Sequence, residues 1–348
     1  MTVATGLALA MPGAILAGFS IYLLALAIAS FGSRAPRPGT ATASPTLQLA
    51  VVVPAHDEEQ LVARCVRSLI NQTYPRALYR VVVVADNCAD GTASAAAAAG
   101  AEVMVRDESQ ARGKGRALRW AVDRLFAKSE SIGAVVVVDA DSVADQDLLT
   151  ALVARAEAGH QVVQADYTVL IEDSSSARAR LVAAGFLLFH RVRFAGRSRL
   201  GMSANLVGNG MLFTRRVLRE HPWDAFTGVE DLEHSIHLRL AGVGIEFACK
   251  ALVAGPPPAT RGGELRQRMR WEGGRFHVVR TRLPELVRTA VVRRDFQLLD
   301  AALDLATPPL GLLTIATAAG VVTSAAAAVL GLAPWWAVAP WFVAALAV

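Results

Sequence analysis

The amino-acid sequence predicts an α/β domain with a doubly wound, mostly parallel sheet, flanked by apolar helices at both ends of the chain. Residues 1–33 and 305–348 carry no Asp, Glu, Lys or Arg, so all 35 basic and 30 acidic residues lie between them. In this central part, short apolar runs alternate with helical patterns, which is typical of βαβ units. Hydrophobic residues make up 53% of the chain and the mean hydropathy is +0.38, above the ~45–50% apolar share of soluble domains. A wholly soluble protein, a disordered chain and a multi-span transporter core are therefore excluded.

The N-terminal apolar segment, residues 1–33, is predicted to be a transmembrane helix. Its apolar stretch of about 25 residues is long enough to cross a ~30 Å hydrocarbon layer with some tilt. A cleaved signal peptide would carry a basic region before its apolar core, and none precedes this stretch. Arg34 and Arg37 follow at once, and the positive-inside rule then places the N-terminus outside and the next domain in the cytoplasm. We expect an integral protein of the inner or plasma membrane.

The polarity of the other flanking segments predicts their structure. Residues 34–47 are polar and rich in Pro, Thr and Ser, which predicts a linker. Residues 284–304 have amphipathic spacing beside basic residues, which predicts an interfacial helix. Residues 305–348 are predicted to form transmembrane helices, one of them over 309–330. The last one is incomplete, since it ends after about 14 residues and a span needs about 20.

The central domain, residues 48–283, has the alternation expected of a parallel sheet. Helical spacing separates the apolar runs at 58–71, 90–99 and 115–127. In such sheets ligands bind at the carboxyl ends of the strands. The predicted strands are 49–54, 81–85, 101–105 and 133–138.

Carboxylates follow three of these strands and are expected to converge at one edge of the sheet. Helix N-capping is an alternative that explains Asp57 and Asp90. It does not explain Asp139 and Asp141, two acids one residue apart directly after a buried strand. Such a pair is a hard-oxygen site for Mg²⁺ or Mn²⁺, which commonly bridges diphosphate oxygens.

Basic residues and cysteines add weaker indications. Gly113-Lys114-Gly115 resembles half of a P-loop, and Lys114 at the start of a helix is a candidate phosphate contact. The net charge of +5 is modest, so no nucleic-acid partner is predicted. The three cysteines form no CxxC pair, which favours a reduced compartment over a disulfide framework.

Five motifs in a fixed order resemble those of glycosyltransferase family 2 enzymes with a GT-A fold. The similarity covers about residues 48–280 and is strongest to the membrane-integrated branch that includes cellulose, chitin and hyaluronan synthases. Val229 departs from the pattern, since the family has Thr or Ser there. The motifs are Val51–Glu59, Asp86, Asp139-Ala140-Asp141, Val229-Glu230-Asp231 and Gln267-Arg268-Met269-Arg270-Trp271.

The resemblance implies a role for each matching residue. Asp231 is the expected general base, with Glu230 as the neighbouring alternative, although Asp231 at a helix start also suits a cap. Asp141 and Asp139 are expected to hold Mg²⁺ or Mn²⁺. Trp271 would stack on an acceptor sugar or anchor the chain at the membrane interface, and Gly208 and Asn209 would line the acceptor site. The expected donor-binding residues are Pro54, Asp57, Glu58, Asp86, Lys114, Asp139, Gln267, Arg268 and Arg270.

Three functions remain open at this stage. The first is a membrane-anchored inverting glycosyltransferase that moves a sugar from a nucleotide-sugar donor, a UDP-sugar, to a growing polysaccharide with a β-linkage. The second keeps the chemistry but has a lipid acceptor, as in ceramide glucosyltransferase-like enzymes. The third is a non-catalytic nucleotide-sugar-binding subunit, against which the intact Asp139, Asp141 and Asp231 argue. Membrane lipids are expected partners in each case, and the sequence does not identify partner subunits.

Overall fold

The first half of the sheet is built around strand β1, Leu49–Ala55, which is buried on both faces. It pairs in parallel with β2, Tyr79–Asp86, and with β4, Ala134–Val137. β2 pairs in parallel with β3, Glu102–Arg106. Continuous valine runs are typical of parallel strands covered on both sides. The predicted alternation of strands and helices is present in this half. The computed structural model describes residues 2–31, 45–171, 176–257 and 261–348, so most of the predicted linker lies outside the described residues.

Helices cover both faces of this half-sheet. On one face α2, Val62–Ile70, and α3, Thr92–Ala98, pack against alternate strand residues such as Val51 and Val53. On the other face α4, Lys114–Lys128, packs against the remaining set, which includes Val52. The domain is therefore doubly wound, with one apolar core on each side of the sheet.

The second half of the sheet is mixed rather than parallel. β7, Met211–Thr214, runs antiparallel to both β4 and β6, Val162–Val169. β6 pairs in parallel with β8, Ile245–Gly255, whereas β5, Val143–Ala144, is antiparallel to β8. The strand order is β3-β2-β1-β4-β7-β6-β8-β5. The prediction of a mostly parallel sheet is thus accurate only for the first half, because a strand running the opposite way enters beside β4.

Five further helices connect or cover the second half. A π-helical segment, Leu187–Val192, joins the second of them to the third without a break. The fifth begins at Glu230, one residue before Asp231, which the sequence predicted to stand at a helix start. They are α5, Leu148–Glu157; α6, Ala177–Phe186; α7, Arg193–Arg199; α8, Arg215–Glu220; and α9, Glu230–Leu240.

The segment predicted as one interfacial helix, 284–304, belongs to two helices. The long helix α10, Arg261–Arg293, runs through Pro284 and ends just before Arg294, whose φ of 53° is left-handed. The Asp295 side chain then accepts two backbone N–H groups and caps α11, Phe296–Ala306. The break at Arg294 divides the predicted segment between two helices, α10 and α11, whose apolar residues share one core cluster.

Three apolar helices lie at the ends of the chain: α1, Thr2–Phe31; α12, Leu310–Val329; and α13, Ala339–Ala347. α1 and α12 are long and apolar enough to cross a membrane, by length and composition. The Trp341 indole N–H donates to the Leu9 carbonyl, 2.9 Å away, and so joins α13 to α1.

A buried polar network attaches α1 to the central domain. Arg197 on α7 is fully buried and forms ion pairs with Asp300 and Asp304 on α11. Its guanidinium also donates to the Tyr22 hydroxyl on α1, which donates in turn to Asp300, both at 2.9 Å. Gly196 lies so close to α1 that a Cβ there would meet a backbone carbonyl oxygen at 2.1 Å. The apolar helix is therefore packed into the domain rather than loosely tethered to it.

Candidate active site

The carboxyl ends of β1, β2 and β4 meet at one edge of the sheet, because the three strands are parallel neighbours. Asp86 ends β2, and Asp139 and Asp141 lie just beyond β4. The structure therefore brings the predicted acidic residues to one edge of the sheet, as the strand pattern indicated.

Lys114 joins two parts of this edge. It is the first residue of α4, after Gly113 at a φ of 121°. Its ammonium donates to the Asp139 carboxylate and, at 2.6 Å, to the Gly208 carbonyl. Burial lowers the pKa of Lys114, but the carboxylates of Asp139, Glu230 and Asp231 together raise it above its ordinary value. Lys114 is therefore a fixed positive charge among acids.

The Asp139–Asp141 turn is held by Ser142 and Asn209. The Ser142 hydroxyl donates to Asp141 Oδ1 at 2.9 Å and accepts from Asn209 Nδ2 at 2.8 Å. Asn209 Oδ1 accepts the backbone N–H of Asp139 at 3.1 Å. Asn209 is fully buried. Its side chain thus supports the acidic turn from behind, rather than facing an acceptor as we expected, because its amide satisfies buried backbone and hydroxyl groups.

Asp231 is in the first turn of α9, where Val229 is the N-cap residue. Its Oδ1 accepts the backbone N–H of Leu232 at 2.8 Å. Burial, with the neighbouring Glu230 charge as the next cause, raises the pKa of Asp231 to about 6, although Lys114 opposes the shift. A carboxyl group with a pKa near neutrality is suited to general-base chemistry.

Gly208 brings Asp231 close to Lys114. Its φ is 81°, and a Cβ built there would lie 3.2 Å from Asp231 Oδ2 and 3.5 Å from Lys114 Nζ. Both the left-handed backbone and the close approach favour glycine. The structure therefore places the predicted base next to the residues expected to bind the donor.

The loop after β1 carries further acids towards Asp141. The backbone N–H of Glu58 donates to Thr92 Oγ1 at 2.7 Å, which ties this loop to α3. Burial, followed by the charges of Asp141 and Asp139, raises the pKa of Glu58. Pro54 lies within β1, and Asp57, with a φ of 55°, accepts the backbone N–H of Ala89 at 2.7 Å.

Asp86 has a partner that the sequence did not reveal. Arg106, at the end of β3, donates to Asp86 Oδ1, and the Asn87 amide donates to the same oxygen at 2.7 Å. The side chains of Arg106 and Asp86 are only 2% and 8% exposed. The register of β2 and β3 pairs these two residues directly, and that register could not be read from the sequence. Arg106 therefore fixes the position of Asp86, one of the residues predicted to bind the donor.

The predicted pentapeptide lies on α10, against the start of α9. The Arg270 side chain passes Gly228, whose Cβ position would lie 3.5 Å from Arg270 Cγ. Gln267 is half-buried and Trp271 is exposed, whereas the Arg268 side chain lies outside the described residues. The structure thus brings Arg270 beside the loop that leads to Asp231.

The acidic edge fits a hard divalent cation. Burial and then the charge of Asp139 raise the pKa of Asp141, and the same carboxylates raise that of Glu58. A bound cation would relieve this mutual repulsion. All of the candidate ligand atoms are carboxylate oxygens, which Mg²⁺ and Mn²⁺ prefer.

Comparisons with known proteins identify the family of this chain. The model of the family described as "Glycosyltransferase like family 2" matches residues 45–274. The probable glycosyltransferase YdaM of Bacillus subtilis (strain 168) is 25% identical over 243 residues. That match covers 67% of this chain and 56% of YdaM, so the chain spans little more than half the length of this curated relative.

A solved structure has a similar fold over nearly the whole chain. It is the mannosyltransferase PcManGT from Pyrobaculum calidifontis in complex with GDP-Man and Mn²⁺, with a TM-score of 0.64 and 21% sequence identity. The similarity covers 97% of both chains, including the apolar ends. Because the family match covers well over half of the sequence, the chain belongs to glycosyltransferase family 2.

Proposed function

We propose that this protein is a membrane-anchored, metal-dependent inverting glycosyltransferase that transfers a sugar from a nucleotide-sugar donor to a growing polysaccharide. The observation that carries the proposal is the meeting of Asp139 and Asp141, Lys114 and Asp231 at one edge of the sheet. Family membership supports the reaction class. The relative PcManGT was solved with GDP-Man and Mn²⁺, which supports a nucleotide-sugar and a metal ion here.

The donor side of the reaction needs positive charge, because the leaving nucleoside diphosphate gains negative charge as the glycosidic bond breaks. Asp139 and Asp141 would hold Mg²⁺ or Mn²⁺, which neutralises diphosphate oxygens when it is bound. Lys114 would add a fixed ammonium. Arg270, which follows Gln267 and Arg268 on α10, would add a guanidinium. Asp86 would contact the nucleoside. The other residues proposed to bind the donor at this edge are Pro54, Asp57 and Glu58.

The acceptor side needs a base, and Asp231 meets that need. Its carboxylate takes the proton of the acceptor hydroxyl as the oxygen attacks the anomeric carbon. Attack from the face opposite the diphosphate inverts the configuration and gives a β-linkage from an α-linked donor. The charge of Glu230 raises the pKa of Asp231, so Glu230 would adjust the strength of the base. The alternative is that Glu230 itself takes the proton. Trp271 is exposed and offers a flat apolar face to a sugar ring.

The membrane location rests on the apolar helices α1 and α12. Lipid acyl chains would contact the exposed apolar residues of these helices, such as Ile15 and Ile315. Because α1 is packed into the domain through Arg197 and Tyr22, the acidic edge would be held at a constant distance from the bilayer. The basic residues that follow α1, Arg34 and Arg37, support a cytoplasmic location of the domain.

A lipid acceptor is the second candidate. The observation in its favour is the apolar surface of Leu187, Leu188 and Phe189, which are 40–51% exposed. These residues begin the π-helical segment that leads into α7, the helix that packs on α1. A lipid-linked acceptor arriving along the bilayer would meet this surface.

The test is transfer by the purified membrane protein. The protein is incubated with Mg²⁺ or Mn²⁺ and a panel of UDP- and GDP-linked sugars, with oligosaccharide or lipid extract as acceptor, and all products are analysed by mass. A product that extends the oligosaccharide supports the first candidate, and a glycolipid supports the second. Asp141→Asn is the matched control, since it keeps the shape and removes the charge. Absence of any transfer product with every donor would refute the proposal.

A further inference from the structure

A second cluster of metal-ligating side chains lies beside the acidic edge. His56 and Asp57 follow β1, and Cys88 follows β2. A ring nitrogen of His56, a carboxylate oxygen of Asp57 and the thiol of Cys88 all lie within 4.8 Å of one another. His56 and Asp57 are exposed and Cys88 is half-buried, so an ion can reach the cluster from solvent.

Backbone hydrogen bonds orient the first two of these side chains. His56 Nδ1 lies 2.8 Å from the Asp86 carbonyl oxygen, which can only accept, so Nδ1 carries the proton. The lone pair is then on Nε2, 3.8 Å from Asp57 Oδ2. The other oxygen, Asp57 Oδ1, accepts the backbone N–H of Ala89. A ring N–H that donates to a carbonyl is the usual support of a metal-binding histidine.

The chemistry of the cluster differs from that of the acidic edge. Sugar transfer needs oxygen ligands for Mg²⁺ or Mn²⁺ and has no use for a thiol. A set of one nitrogen, one sulfur and one oxygen suits Zn²⁺, which binds Cys, His and carboxylate ligands in tetrahedral sites. Such sites with three protein ligands keep water in the fourth position.

We propose that His56, Asp57 and Cys88 form a binding site for Zn²⁺, separate from the Asp139–Asp141 site. Metal–ligand bonds of about 2.0–2.3 Å place tetrahedral ligands roughly 3.5 Å apart. The ligand atoms, which lie within 4.8 Å of one another, therefore need to close by up to roughly 1.3 Å. The three residues lie in two neighbouring loops, and the side chains of His56 and Asp57 are exposed, which allows this movement.

Occupation of this site would oppose donor binding, and this consequence rests on the proposed function. Asp57 is one of the residues proposed to bind the donor, and Cys88 lies two residues after Asp86. A Zn²⁺ ion that holds Asp57 would withdraw it from the donor. The site would thus make sugar transfer sensitive to free zinc even when Mn²⁺ is saturating.

The direct test uses Co²⁺ as a spectroscopic substitute for Zn²⁺ in the full-length protein after metal removal by chelation. We expect a thiolate-to-cobalt charge-transfer band in wild type that Zn²⁺ displaces and excess Mg²⁺ does not. Cys88→Ser should abolish the band, whereas the control Cys249→Ser should keep it. His56→Ala should weaken binding at least about tenfold, since even loss of outer-shell partners costs 10–100-fold. The exposed His160→Ala is its control.

The outcomes separate this proposal from the proposed function. A band that is absent from wild type, or that persists unchanged in Cys88→Ser with a normal circular-dichroism spectrum, would overturn the zinc site. Transfer assays at saturating Mn²⁺ form the second arm, in which Zn²⁺ should inhibit wild type competitively with the donor and Cys88→Ser much less. If cobalt binds through Cys88 but no donor is turned over, the metal site stands and the glycosyltransferase assignment fails.

Discussion

Replacing Asp231 by Asn separates catalysis from stabilisation of α9. Val229 is the N-cap residue of this helix, and an Asn amide oxygen at position 231 can still accept the Leu232 N–H that Asp231 accepts. If Asp231 only stabilises α9, turnover should be nearly unchanged. If it is the base, the change removes the proton acceptor and should lower turnover by roughly 10²–10⁴-fold. That loss corresponds to about 3–5 kcal/mol of transition-state stabilisation.

The pH dependence of turnover in the wild-type protein is a second, independent test of Asp231 as the base. The base works only when it is ionised, and the pKa of Asp231 is raised to about 6. Activity should therefore fall as the pH drops through about 6. One unit below its pKa roughly a tenth of the carboxyl is ionised, so turnover at pH 5 should be near one tenth of its plateau.

The assay is the initial rate of nucleoside diphosphate release with acceptor, measured from pH 5 to 8 beside nucleoside diphosphate affinity. Donor affinity should change little in Asp231→Asn, because Lys114 keeps its contacts with Asp139 and Gly208. Glu230→Gln is the matched control and should shift the acidic limb to lower pH, since Glu230 raises the pKa of Asp231. Turnover of Asp231→Asn within a few-fold of wild type would refute the reasoning, and a loss confined to Glu230→Gln would move the base to that residue.

Three further predictions address the metal, the turn and the topology. Asp141→Asn should nearly abolish transfer and weaken metal-dependent nucleoside diphosphate binding, as a chelator should in wild type; full activity in either would contradict a metal role. Gly208→Ala should lower turnover more than it lowers thermal stability, because the added Cβ meets Asp231 Oδ2 at 3.2 Å from a left-handed backbone; an unchanged rate would show that this contact is unimportant. A cysteine replacing the exposed Asp224 should resist an impermeant thiol reagent in intact cells and react after lysis, and labelling from outside would reverse the proposed orientation.

The sequence predicted the first half of the sheet well because β1, β2 and β4 can each be recognised from their own residues. Each is a continuous apolar run buried on both faces, and parallel pairing follows from the helices between them. The convergence of Asp86, Asp139 and Asp141 then followed from the rule for strand ends. These inferences needed only local patterns and one topological rule.

What the sequence missed depends on contacts between distant segments. The pairing of Arg106 with Asp86 depends on strand register, and the burial of Asn209 depends on where Ser142 lies. The antiparallel β7 looks the same in sequence as a parallel strand, because a short apolar run such as Met211–Phe213 does not show the direction of the strand. The break at Arg294 has no glycine or proline to mark it, so amphipathic spacing alone predicted an unbroken helix.

The polar junction between α1 and the domain has a practical consequence for anyone trimming the protein to a water-soluble form. Removing α1 would take away the Tyr22 hydroxyl that bridges Arg197 and Asp300. It would also expose the face of α7 that Gly196 presses against the α1 backbone. The same α7–α11 ion pairs continue through Asp304 to Asn205, three residues before Gly208. Loss of α1 would therefore increase the mobility of the loop from Asn205 to Gly208. Gly208 in this loop sets the distance between Lys114 and Asp231.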